Sequence, residues 1–251
     1  MKEKVTKKEL NRKAAIAGAF YVFAQLFVRG ITFIVTPIYS RLVSQAQYGE
    51  IRVYESWLLI MVPLMSLCLY RSVERAKFDF PDSFEEYVSS AQTLSYLTIL
   101  AGYGIITVFF RKIFMNFCGL NGLMYVFMIL YTFSYTSFLY YQRRERQLLR
   151  YKSSTFMTAV TMIPATLLSI LLLYLGNLAD KTEWLVELRV IGFYTPQVIG
   201  GLALAFLMCR QGHFAARRAH WSYALKFSLP LIPEMLSIQI MNQSDKIMIQ
   251  K

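Results

Sequence analysis

Histidine, cysteine and acid are all scarce in this chain: two His, three Cys, and 15 Asp and Glu against 27 Lys and Arg. His213 and His220 share one basic loop without companion ligands and read as loop residues rather than a metal site. Cys68, Cys118 and Cys209 lie in or at the ends of different apolar segments, with no CxxC pair, which argues against a disulfide framework or a paired-cysteine metal site. No GxxxxGK[ST] phosphate loop, GxSxG elbow or HExxH helix is present. Gly102 and Gly104 form a partial Gly-x-Gly, but they lie in mid-segment with no strand before them. A polymerase or ligase working on an outer face would need acid/base groups there, and Glu50, Asp180 and Glu183 are ordinary acids of short loops. The expectation is a non-enzyme with no cofactor.

What is abundant is apolar length. Hydrophobic residues make up 56% of the chain. Uncharged runs such as Tyr87–Phe110, Ile113–Gln142 and Ser153–Ala179 each exceed the roughly 20 residues of a membrane helix. Backbone groups in lipid must be bonded internally, and the short alternation of barrel strands is missing, so the spans are read as helices. The expected map is Ala14–Leu42, Val53–Tyr70, Tyr87–Phe110, Leu123–Gln142, Ser153–Leu175, Leu188–Cys209 and Phe227 onward. The stretch Ala14–Ser40 is too long for a signal peptide and has no small-residue cleavage site behind it, so it reads as an uncleaved first span. The resulting segments are a basic tail (1–13), six spans (14–209), a basic loop (210–226) and the start of a seventh span (227–251). Within the Arg71–Glu86 loop, mixed charges interrupted by Phe78, Phe80 and Pro81 predict a short helix and a turn.

The net charge of +12 is distributed as a topology signal rather than a nucleic-acid patch. With the N-terminus taken as cytoplasmic, the four inner segments carry 18 Lys and Arg and the three outer loops carry 5. That is the positive-inside bias of a multi-pass protein of the cytoplasmic membrane, and it makes anionic lipids the natural partner of the basic loops. Tyr48, Tyr54 and Trp57, with Trp184, are expected at the outer interface; Tyr140, Tyr141, Tyr151, Trp221 and Tyr223 are expected at the inner one.

The candidate functional residues are charges inside the membrane. Arg29 lies near the centre of the first span, where an arginine costs about 2.5–3.5 kcal/mol, so it is expected to face protein or a wet cavity. Arg52 and Glu55 are spaced as an i, i+3 pair at the outer end of the second span. Arg189, near the outer end of the sixth, is read as snorkelling to the interface. Glu234 follows Pro233 about two turns into the seventh span, where a carboxylate beside a broken helix could titrate or bind a cation. Six of the seven prolines fall inside spans, and Pro230 with Pro233 predicts a kink in the seventh.

Two segments carry a family pattern. Ile34–Ile51, IVTPIYSRLVSQAQYGEI, resembles the end of the first span and first loop of Wzx-type polysaccharide flippases, in the multidrug/oligosaccharidyl-lipid/polysaccharide exporter superfamily. Tyr223–Gln250 resembles the opening of that family's second half, with Leu229–Pro233, Leu236, Ser237 and Asn242–Ile249 matching and Lys246 where arginine is commoner. The resemblance covers essentially the whole chain. It implies a two-lobe all-α fold, of which this chain is the N-terminal six-helix lobe plus the start of a seventh transmembrane helix, inactive by itself. It also implies flipping of undecaprenyl-pyrophosphate-linked oligosaccharide for O-antigen, lipopolysaccharide, capsule or exopolysaccharide assembly. The lipid-linked oligosaccharide and other polysaccharide-assembly membrane proteins are then the partners, and no nucleic acid. Substrate-path candidates are Arg29, Arg52, Glu55, Arg189 and Glu234, joined by Asp245 and Lys246 of the matched motif. A drug/cation antiporter of the same superfamily would favour acids in these spans, where this chain has Arg29. A membrane fragment that transports nothing is the third reading.

Overall fold

A computed structural model of the chain describes residues 7–212 and 216–248. They form ten helices: α1 (Lys7–Leu42), α2 (Gln45–Met65), α3 (Val73–Asp79), α4 (Phe84–Ile105), α5 (Arg111–Cys118), α6 (Gly122–Gln147), α7 (Tyr151–Leu178), α8 (Leu185–Gln211), α9 (Arg218–Ser228) and α10 (Ile232–Met248). Four stretches are long and apolar enough to cross a membrane: Phe84–Cys118, Gly122–Gln147, Tyr151–Leu178 and Thr182–Gln211. The bent pair Gln45–Met65 and Leu69–Asp79, turning by 62°, makes a fifth. The protein is an all-α, multi-pass membrane protein. Of the other two expected spans, much of the first falls on residues whose side chains lie outside the described set, and α10 is 17 residues long.

Several segments expected as loops are helical. α4 runs through a π-helical turn at Ile106–Phe110 straight into α5, so Arg111 and Lys112 lie on a continued rod. The 210–226 loop contains most of α9. The short helix and turn expected in 71–86 are found as α3 and the Phe80–Ser83 turn. Pro230 and Pro233 sit at the start of a helix rather than inside one: Leu229–Leu231 is a 3-10 turn and α10 begins at Ile232, where a missing N–H costs nothing. α10 packs on the rest of the described bundle. It lies against α2, with Ser56 Oγ donating to Gln243 Oε1 at 3.1 Å.

Packing between the long helices depends on small residues. α8 lies against α7 and α6, and it does so through two glycines. A Cβ on Gly192 would stand 2.6 Å from Ser169 Cα, and one on Gly201 would stand 2.4 Å from the Ser134 carbonyl oxygen. Lipid supplies no hydrophobic drive between helices, so such close backbone approach is the main source of van der Waals contact. Side-chain bonds pin one end of the bundle: Asn177 donates to the Leu42 carbonyl at 2.8 Å, and Gln47 to the Thr182 carbonyl at 2.6 Å. At the opposite end, the buried Arg144 makes a fork to Glu85 at 2.6 and 2.8 Å and reaches Glu145 at 2.7 Å, joining α4 to α6.

The aromatic belts are only partly as expected. Trp184 is exposed, but Tyr54 and Tyr140 are core residues at 1% and 0% exposure. Tyr54 donates to the Met124 carbonyl and Tyr140 to the Ala91 carbonyl. A buried phenol needs such a partner, and these two found one across the bundle.

Candidate functional site

A cavity of about 410 Å³ opens between α1, α2, α6, α7 and α8. Local sequence sets its charged wall. Ser44 and Gln47 form a reciprocal capping box that starts α2, with Ser44 N donating to Gln47 Oε1 at 3.0 Å and Gln47 N to Ser44 Oγ at 3.3 Å. From that start the i, i+3 spacing puts Arg52 and Glu55 on one face, and Arg52 Nη1 reaches Glu55 Oε2 at 2.9 Å. The Gln47–Thr182 bond holds the α7–α8 turn beside α2, and Arg189 on the second turn of α8 comes to face them, with Nη2 at 3.0 Å from Glu55 Oε1.

One carboxylate therefore bridges two guanidiniums, and the cluster keeps a formal charge of +1. Arg52 Nε also donates to the Tyr48 hydroxyl at 2.9 Å. Arg189 is 4% exposed, with its guanidinium 4.1 Å from the Phe193 ring centre and 4.7 Å from that of Tyr39. Tyr39 is itself fixed by donating to Ser169 Oγ at 3.1 Å. Two faces of π-density stabilise the buried cation, yet its Nε and Nη1 have no hydrogen-bond partner among the described residues. Each unmet buried donor costs about 1–3 kcal/mol. An anion entering this cavity would meet a net positive wall, with the unused N–H groups of Arg189 buried behind it.

The expected site residues divide accordingly. Arg52, Glu55 and Arg189 come together. Arg189 does not snorkel: the close approach at Gly192, one turn on, draws α8 against α7 and turns this arginine inward. Arg29 is exposed and lies outside the cavity wall, which α1 supplies through Thr32, Thr36 and Tyr39 instead. Glu234 is exposed in the first turn of α10, away from the cluster. The side chains of Asp245 and Lys246 lie outside the described residues, as does His213. Tyr48, Tyr39 and Phe193 were missed as site residues; Tyr48 at i−4 from Arg52 was the one legible signal.

Two further concavities adjoin the bundle. One, about 310 Å³, shares Tyr131, Met162 and Phe193 with the first and has no charged residue among the described residues of its wall. The other is an outer recess of about 740 Å³ between Gln47, Glu50, Asn121, Glu183 and Glu187. No grouping of three or more His, Cys, Asp or Glu among the described residues is arranged to hold a metal ion.

The described helices form a membrane bundle around a cavity whose charged cluster carries a net positive charge. The family model described as polysaccharide biosynthesis protein matches residues 17–251. The chain belongs to that family. No curated protein and no solved structure matches it.

Proposed function

We propose that this chain is a lobe of a Wzx-type flippase, a protein whose two lobes together move an undecaprenyl-pyrophosphate-linked oligosaccharide across the cytoplasmic membrane, with the N-terminus on the cytoplasmic side. The observation that carries this reading is Arg189, a buried guanidinium with unused donors beside a membrane cavity in a polysaccharide-biosynthesis protein. A pyrophosphate offers the oxygens these donors lack, and Arg52 adds a second cation. Glu55 holds both guanidiniums apart and oriented, and keeps the empty site from carrying two uncompensated charges. The same net charge disfavours a cationic drug as cargo. On this reading the lipid-linked oligosaccharide is the main partner, and anionic lipids contact the basic loops.

The test is flipping of a fluorescent undecaprenyl-pyrophosphate saccharide in vesicles, with the protein expressed from its own gene. Arg189→Ala should slow flipping about a hundredfold, the equivalent of ~3 kcal/mol of lost anion contact, while folded protein stays abundant. Arg189→Lys should keep part of the rate, since the charge remains and only the planar fork is lost. A folded Arg189→Ala protein that flips at the wild-type rate would remove the residue, and the reading with it.

A further inference from the structure

The 310 Å³ cavity that continues from the cationic one has a different chemistry, and the carrier reading above gives it a purpose. Its polar groups fall into two sets. Ser134, Thr158 and Thr161 are already satisfied, donating to the carbonyls of Val198 (3.1 Å), Ser154 (3.0 Å) and Met157 (2.9 Å). Gln142 and the hydroxyls of Tyr131 and Tyr135 have no hydrogen-bond partner among the described residues. Gln197 uses only its amide nitrogen, on the Phe193 carbonyl at 3.3 Å. Unfilled amides and phenols are expensive inside a membrane bundle unless something polar occupies the space between them.

The apolar part of the wall includes a stack of aromatic rings. Tyr131 and Tyr135 are stacked with centres 5.2 Å apart and planes at 15°, and Tyr135 and Phe138 are 6.4 Å apart at 22°. These three nearly parallel rings run along one face of α6. Aromatic rings beside unfilled amides and phenols suit a ring that presents C–H bonds on one side and hydroxyls around its edge. A sugar is such a ring. At about 310 Å³ the space lies within the roughly 300–1,000 Å³ of small-ligand sites.

We propose that Gln142, Gln197 and Tyr135 form an uncharged sugar subsite adjoining Arg52 and Arg189, and that the anion carried bears electrically neutral sugars next to its phosphates. The proposal rests on the carrier reading. Among the described residues this wall holds no cation, and that selects against acidic sugars: a uronate carboxylate placed here would be desolvated without a partner.

The test uses the purified chain in an amine-oxide detergent, since glycosidic detergents would compete. The probes are the terminal methyl ester of uridine diphosphate (called UDP below, and a pyrophosphate diester like the sugars), three neutral UDP sugars (UDP-glucose, UDP-galactose and UDP-N-acetylglucosamine) and the acidic UDP-glucuronate, measured by calorimetry. All share the nucleotide, so differences report the sugar alone. At least one neutral sugar should bind about tenfold more tightly than UDP, the gain of one or two net hydrogen bonds, and glucuronate should show no gain. Gln142→Ala combined with Gln197→Ala should erase the sugar increment, and the milder Tyr135→Phe should reduce it. Binding of UDP without any gain from a neutral sugar would overturn the sugar subsite and leave the cationic site standing. An equal gain from glucuronate would overturn the claim of neutrality. No binding of UDP at all would overturn the cationic site, and both readings with it.

Discussion

Among single residues, His220 gives the clearest pH dependence. It is 3% exposed and wedged between Phe80 and Tyr87, whose ring centres lie 5.2 and 5.3 Å away, so α9 is held on the α3–α4 turn. Burial, and after it the neighbouring Arg217, lowers its pKa below the ordinary value, against a smaller opposing pull from Glu86. Above about pH 6.5 the imidazole is neutral in both folded and unfolded chains and has no effect. As pH falls below that value the unfolded chain binds the proton first, so stability is lost with acidification. Thermal unfolding at pH 5.5 and 7.5 should therefore differ more for the wild type than for His220→Phe; equal differences would rule out this residue as the source. The sequence offered His220 as an unremarkable loop residue, because its aromatic surroundings come from α3 and α4. Arg189 and Arg29 show the same limit from the other side. Their depth in a span was legible, but which way each helix turns its side chains depends on contacts such as Gly192 with Ser169, which leave no local pattern.

At the scale of elements, four helices end with one device. The chain turns after α2, α5, α6 and α7 by a left-handed residue flanked by paired bonds back into the last turn, as in Arg150 N to Glu145 O at 2.9 Å and Leu149 N to Arg146 O at 3.1 Å. Only after α5 is the left-handed residue a glycine, Gly119; the others are Leu67, with Cys68 after it also left-handed, Leu149 and Asp180. This is why helix ends were read poorly from sequence while the apolar runs were read well. It also gives a paired prediction. Leu149 is exposed with φ +56°, so Leu149→Gly should raise stability by ~0.5–1 kcal/mol. Gly201→Ala should lower it by about 1–3 kcal/mol, because the added methyl meets the Ser134 backbone rather than a movable side chain. Chemical unfolding of both variants checks the two signs.

For the whole molecule, the imbalance of 18 basic residues against 5 predicts which side each turn faces. Arg146 and Asp180 are both exposed, at opposite ends of α7's neighbourhood. In a version lacking Cys68, Cys118 and Cys209, a cysteine at Asp180 should react with an impermeant thiol reagent in intact cells, and one at Arg146 should react only after lysis. Equal labelling would contradict the assigned orientation.

The bridged pair of arginines also has an electrical consequence. Empty, the Arg52–Glu55–Arg189 cluster presents one positive charge to whichever side its cavity faces; loaded with a doubly charged pyrophosphate diester, it presents one negative charge. In a membrane negative inside, outward passage of the loaded site and inward return of the empty one are then both downhill, by up to about 2.3 kcal/mol per charge at 100 mV. On the proposed carrier reading, the membrane potential alone would then suffice to drive the cycle in one direction. Flipping in vesicles should accelerate when a potassium diffusion potential makes the cytoplasmic side negative and slow when the potential is reversed; a rate indifferent to its sign would show that the cluster does not travel with the field.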